Sequence, residues 1–139
     1  MATNTQFSIA VHFMTALGMN SPKSVTSSRL AQSVNTSPSF VRRTLSKLSK
    51  AGLVHTTTGK NGACSLARTP KAISLLDIYE AVESPKAFAI HQYPEDETCP
   101  VSCNIKPVME KVLKKTQRST EESLGKVSLA DVISGVKAG

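Results

Sequence analysis

At 139 residues, 40% of them hydrophobic, the chain can build one cored domain, or a small domain with an oligomerisation element, which excludes wholesale disorder. Its 17 Lys and Arg against 10 Asp and Glu leave a net charge of +7, the footprint of a polyanion binder, and three cysteines exclude a disulfide scaffold. No apolar run approaches the roughly 18 residues of a membrane span and the N-terminus lacks a signal peptide's basic start, so a soluble cytoplasmic protein with free thiols is expected.

Apolar residues Phe7, Ala10, Val11, Met14 and Leu17 recur at helical spacing and predict a first helix from Gln6 to Met19, with Asn4 or Thr5 as N-cap. Val25 can pair as an isolated strand residue. Thr26 or Ser27 then caps a short helix, SSRLAQSV, with Leu30, Ala31 and Val34 in one stripe. Asn35 and Thr36 make a turn, and Ser37 followed by Pro38 opens a second helix that runs to about Ala51 and stops at Gly52. Phe40, Val41, Leu45 and Leu48 are its expected inward face. Two short helices joined by a tight polar turn are a helix-turn-helix.

LVHTTTGKNGACSLAR follows: a β-branched run, a glycine-rich turn and a second alternating run, which reads as a hairpin with Lys60 and Asn61 at its tip. A helix-turn-helix with such a hairpin is a winged helix. Ser74 with Asp77 opens LLDIYEAVE, where Leu75, Ile78, Tyr79 and Val82 share one side. AFAIHQ reads as a short strand and YPEDETCPVSCN as a polar loop. A long amphipathic helix is expected from Ile105 to about Leu124, and SLADVISGV ends the chain as a capped helix. The expected fold class is mostly α with a small β-wing. The expected regions are a winged helix-turn-helix over residues 1–84, a strand and cysteine loop over 85–104, and the long and C-terminal helices over 105–139.

Charge divides along the same line. Residues 1–71 hold nine basic side chains and no Asp or Glu, whereas the remaining 68 hold eight basic and ten acidic. A stretch without carboxylates offers phosphate no local repulsion, and the balanced half suits a scaffold or a subunit contact. On the second helix of the motif, Ser39, Arg42, Arg43, Ser46, Lys47 and Lys50 are left outside the core. A winged helix puts the first turn of this helix in the major groove, where Arg pairs with guanine through two hydrogen bonds. Ser37, Ser39, Arg42 and Arg43 are therefore the candidate base readers, and Lys47 a backbone contact. Arg29 and Lys23 are candidate phosphate contacts, and Lys60 and Asn61 can reach phosphate or the minor groove. A merely solvated helix face and a ligand-free surface hairpin are the competing readings.

SPSFVRRTLSKLSKAGLV, then TGKNGACSLAR, then ISLLDIYEAVES stand in the order and spacing of the Rrf2 family of bacterial repressors. The chain resembles that family from Phe7 to about Ile133, and its CPV and VRR tripeptides are most similar to the YwnA-type members. The resemblance implies a homodimeric winged-helix repressor on a palindromic operator in double-stranded DNA, dimerised mainly through the long helix at about residues 105–124. Three features depart from the family pattern. The loop has only Cys99 and Cys103 where cluster-binding members have three cysteines, Thr58 replaces a wing arginine, and Cys64 replaces an aromatic. An iron-sulfur cluster is therefore not expected, and no other cofactor is implied.

The cysteines allow several roles. Cys64 shares strand parity with Leu66 and is either a small buried hydrophobe or a redox-active thiol. If Pro100 begins a helical turn, Cys99 is its N-cap and Cys103 lies one turn on, where peptide dipoles favour thiolate. The pair could be oxidised, take a soft metal with His91, or be the remnant of a lost cluster site. Neither a Walker loop, a dinucleotide fingerprint nor HExxH occurs, and His12, His55 and His91 are scattered, so an enzyme is not expected. Alternatives to a thiol-responsive DNA-binding repressor are a regulator controlled by a small molecule or a docked metabolic enzyme, and a zinc-stabilised module.

Overall fold

The computed structural model describes residues 5–57 and 62–139. They form two units, the described residues up to 84 with 124–139, and residues 85–123. In the first unit, α1 (Gln6–Asn20), α2 (Ser27–Val34) and α3 (Pro38–Lys50) precede a small antiparallel sheet. The sheet has β1 (Val25–Thr26), β2 (Val54–Thr56) and β3 (Ala63–Leu66) in the order β1-β3-β2. Val25 pairs with Cys64, and Thr56 pairs with the same residue from the other side. A single 3-10 turn at Pro70–Ala72 leads to α4 (Leu75–Ala81). This is a winged helix.

Capping explains where the helices start. The Thr26 side chain accepts the Arg29 N–H (3.1 Å), and Ser37 Oγ accepts the Phe40 N–H (3.3 Å) with Pro38 at the first helical position. Ser74 and Asp77 form a reciprocal capping box on α4, as the sequence suggested. Asn35 ends α2 in the left-handed region at φ 66°, and Gly52, at φ 77°, follows α3.

The core joins Ala10, Phe13, Met14 and Leu17 of α1 to Leu30, Val41, Leu45, Leu48, Leu53, Ile73, Ile78 and Val82. Phe13, fully buried, lies outside the stripe expected for α1, because apolar residues run nearly all the way round that helix. On α3 the inward face is Val41, Thr44, Leu45 and Leu48. Phe40, expected inward, is only half-buried, and Thr44 takes the interior position. Its hydroxyl donates to the Phe40 carbonyl (3.0 Å), which satisfies it there. The last helix, α6 (Leu129–Ala138), grouped in the sequence with the long helix, packs against α1 with Leu129 and Ile133 buried. Ser128 and Asp131 give it the same capping box as α4.

The second unit holds an irregular segment and most of α5 (Pro100–Gly125). AFAIHQ, expected as a strand, is irregular and mostly exposed. It lies between Pro85 and Pro94, and side chains take nearby backbone groups: the Ala87 N–H donates to Gln117 Oε1 (3.2 Å) and Lys106 Nζ donates to the Tyr93 carbonyl (2.6 Å). The long helix also begins five residues before its expected start. Cys99 precedes it and accepts the Cys103 N–H at its carbonyl (3.1 Å), so CPVSCN belongs to helix start and not to loop. Pro107 is thus inside α5, where it removes the N–H that would bond the Cys103 carbonyl. Among the described residues, no helix is long and apolar enough to cross a membrane.

Candidate nucleic-acid interface

Burial of Val41, Thr44, Leu45 and Leu48 fixes the rotation of α3 about its axis, and the opposite arc is what remains for a ligand. Ser37, Ser39, Arg42, Arg43, Ser46 and Lys50 are exposed and Lys47 is half-buried. Arg42 and Arg43 diverge although they are adjacent. The Arg43 guanidinium lies over the Phe40 ring, 5.8 Å from its centroid, which accounts for the outward position of Phe40. Arg42 instead lines a cavity between α3 and the sheet.

The wing is tied to the start of α2. The Ser27 N–H donates to the Gly62 carbonyl (3.2 Å), which joins the first residue of α2 to the base of the hairpin. The hairpin is further closed by Thr57, whose N–H donates to the Ala63 carbonyl (2.9 Å) and whose hydroxyl accepts the Ala63 N–H (3.0 Å). Lys60 and Asn61 lie outside the described residues. Arg29, in the first turn of α2, is exposed, as is Lys23 just before β1. With no carboxylate in residues 1–71, and no ion pair to these cations among the described residues, their charge is available to an external anion.

The cavity has a volume of about 440 Å³. Its cations are Arg42 and Lys50, and its hydroxyls come from Ser27, Ser28, Ser46, Ser49, Thr56 and Thr57. Apart from Arg42, Ser46 and Lys50, none of these residues was marked as a candidate contact in the sequence, Ser27 standing out there only as a helix cap. The groups come from three segments separated along the chain, and only an excess of hydroxyl residues without acids hints at them.

The three cysteines differ. Cys64 is buried at the centre of the sheet, and its thiol donates to the Val25 carbonyl (3.1 Å). Burial pushes that thiol up to about 11, so it stays protonated and inert at neutral pH. Cys99 and Cys103, both half-buried, bracket the first turn of α5. Cys99 Sγ accepts the Ser102 N–H (3.5 Å), while Cys103 Sγ donates to the carbonyls of Asp96 (3.5 Å) and Glu97 (3.6 Å). Asp96 organises this turn. The Thr98 hydroxyl (2.7 Å) and N–H (3.0 Å) hold its carboxyl below the usual carboxylate range, and its own N–H donates to Ser102 Oγ (2.7 Å). His91 is used otherwise, its Nδ1 accepting the Tyr93 N–H (3.3 Å).

A family model described as Rrf2, iron-dependent transcriptional regulator, matches residues 3–135. The chain is 37% identical over 131 residues to YwnA of Bacillus subtilis strain 168, named as an HTH-type transcriptional regulator, covering 94% of this chain and 96% of that one. A crystal structure titled as a transcriptional regulator from Lactobacillus plantarum superposes with a TM-score of 0.81 at 26% identity, covering 96% of this chain and 90% of that one. T. potens IscR superposes at 0.72 with 25% identity, covering 98% and 88%. The iron of the family description finds no matching donor set here. The α5 turn supplies two thiols, and Cys64 is committed to the sheet core. Among the described residues, no three His, Cys, Asp or Glu gather closely enough to hold a metal ion.

Proposed function

The chain belongs to the Rrf2 family of transcriptional regulators, and on that premise we propose that it acts as a homodimeric repressor on a palindromic operator in double-stranded DNA. The family is one of regulators and not of enzymes. The observation that carries the reading is the exposed arc of α3. Ser39, Arg42, Arg43 and Ser46 sit on one side of a helix whose other side is locked into the core. In a major groove, Ser37, Ser39, Arg42 and Arg43 are the base readers, Lys47 and Arg29 meet phosphates, and Lys60 and Asn61 extend the contact from the wing.

Dimerisation through α5 is supported by its surface. Val101, Val108 and Val112 are exposed, at 65%, 56% and 48%, and with half-buried Ile105 they follow the alternating four- and three-residue spacing of a helix-helix seam. Two such subunits would present recognition helices to half-sites roughly one or two helical turns apart. Genome-wide footprinting followed by binding measurements on the recovered sites tests this. A dimer on each pseudo-palindrome, with affinity falling steeply as salt rises, is expected. Salt-insensitive binding would contradict it.

For the signal, the first turn of α5 supports thiol chemistry at Cys99 and Cys103. Both thiols are half-buried at the start of the helix, one turn apart, and each is engaged by backbone groups of that turn. Oxidation would break the contacts of Cys103 with Asp96 and Glu97 at the head of the dimer helix, and a small rotation between subunits would misalign the recognition helices.

A further inference from the structure

The cavity between α3 and the base of the wing combines three features that a DNA backbone does not need together. Its volume of about 440 Å³ is that of a small-molecule site, within the usual range of about 300–1,000 Å³. Its lining is mixed, with apolar Leu45, Ala63 and the inert Cys64 beside the polar groups. The polar part of the lining is cationic and hydroxylic, with Arg42 and Lys50 on one helix and Ser46 and Ser49 between them. A phosphodiester would match the cations and hydroxyls but leave the apolar part of the lining uncovered. An apolar metabolite would leave the two cations without a counter-ion.

We propose that this cavity is an effector site for a small amphipathic anion, with its carboxylate or phosphate on Arg42 and Lys50 and its short apolar body on Leu45 and Ala63. The proposal rests on the DNA-binding reading only for its consequence. Arg42 cannot hold a ligand head group and a base at once, so anion and operator compete for the same guanidinium. The competition is direct, without a structural change elsewhere. It also separates the adjacent arginines, because Arg43 lies over Phe40 and does not line the cavity, so it stays available to DNA.

The test uses the full-length protein and four probes: benzoate, phenyl phosphate, benzyl alcohol and inorganic phosphate. Amide chemical shifts of the DNA-free protein are followed first. Benzoate, phenyl phosphate or both should move the amides of Ser46, Ser49 and Ala63 saturably, the active head group identifying the anion. Benzyl alcohol lacks the charge and inorganic phosphate the body, so both should leave them in place. The active anion should then weaken operator binding about ten-fold at saturation. Ser49→Leu and Ala63→Leu, each filling the cavity from a different element, should abolish the response while keeping operator affinity. If neither aromatic anion saturates, or a folded filling variant responds like the wild type, there is no such site. If inorganic phosphate moves the amides as far as benzoate does, the cavity is a seat for a DNA phosphate and the proposal fails. Absence of operator recognition by the wild type would strike the DNA reading alone, since the shifts are read without DNA.

Discussion

Ile133 of α6 occupies the space that a β-carbon at residue 18 of α1 would need. The last helix therefore keys directly into the first, and the winged-helix core is closed by residues from the far end of the chain. Gly18→Ala forces the Ile133 Cδ1 end to move, and the roughly 1 kcal/mol of helix propensity that alanine gains offsets part of this overpacking, so a net loss of at most about 1 kcal/mol is expected. Adding Ile133→Val, which shortens the clashing arm, should recover part of that loss. Denaturant unfolding of the two single variants and the double variant measures the coupling, and strict additivity would mean that the two residues do not meet in solution.

Cys64 makes stability depend on pH at the alkaline end. Its thiol is pushed up to about 11 in the folded chain, from an ordinary value of about 9, by burial. The folded state thus keeps a proton that the unfolded state releases. The associated stability is complete below pH 9 and is lost as pH rises towards 11. Wild type should lose stability over that window by a margin that Cys64→Ala does not show. Under native conditions at neutral pH, iodoacetamide should label Cys99 and Cys103 and spare Cys64.

Purified anaerobically, the protein should be colourless, because the first turn of α5 offers two thiols and a two-iron cluster needs four ligands. If oxidant releases the operator, the release should vanish in the Cys99→Ser, Cys103→Ser double variant while basal binding persists. Visible charge-transfer absorption, or release that survives in the double variant, would show that the signal is read elsewhere.

Much of the first unit was legible in the sequence because local chemistry marks its boundaries. Thr26, Ser37, Ser74 and Ser128 each stand one residue before a helix and cap it. The outer face of α3 followed once its core positions were read, although Phe40 is turned outward and Thr44, which the apolar pattern left unplaced, lies inside. Strand parity offered Cys64 an inward position as one of two open roles, and the structure buries it. What could not be read depends on partners distant in sequence. AFAIHQ has the composition of a strand, but Gln117 and Lys106 take backbone groups in and beside it. The start of α5 was hidden by a polar loop and by Pro107, both of which look like helix boundaries. The cavity beside Arg42 exists only when α2, α3 and the sheet are brought together, so no window of sequence contains it. Lys60 and Asn61 lie outside the described residues, and their part rests on the sequence pattern alone.

Base reading by Arg42 and Arg43 is the central claim, and the ratio of affinities for operator and random DNA at fixed salt measures it most directly. Arg42→Ala or Arg43→Ala should cost about 1–3 kcal/mol on the operator and far less on random DNA, collapsing the ratio. Lys47→Ala and Lys60→Ala should weaken both DNAs alike and leave the ratio unchanged. Equal losses on operator and random DNA for both arginine variants would contradict the account, since α3 would then hold phosphates and read no bases.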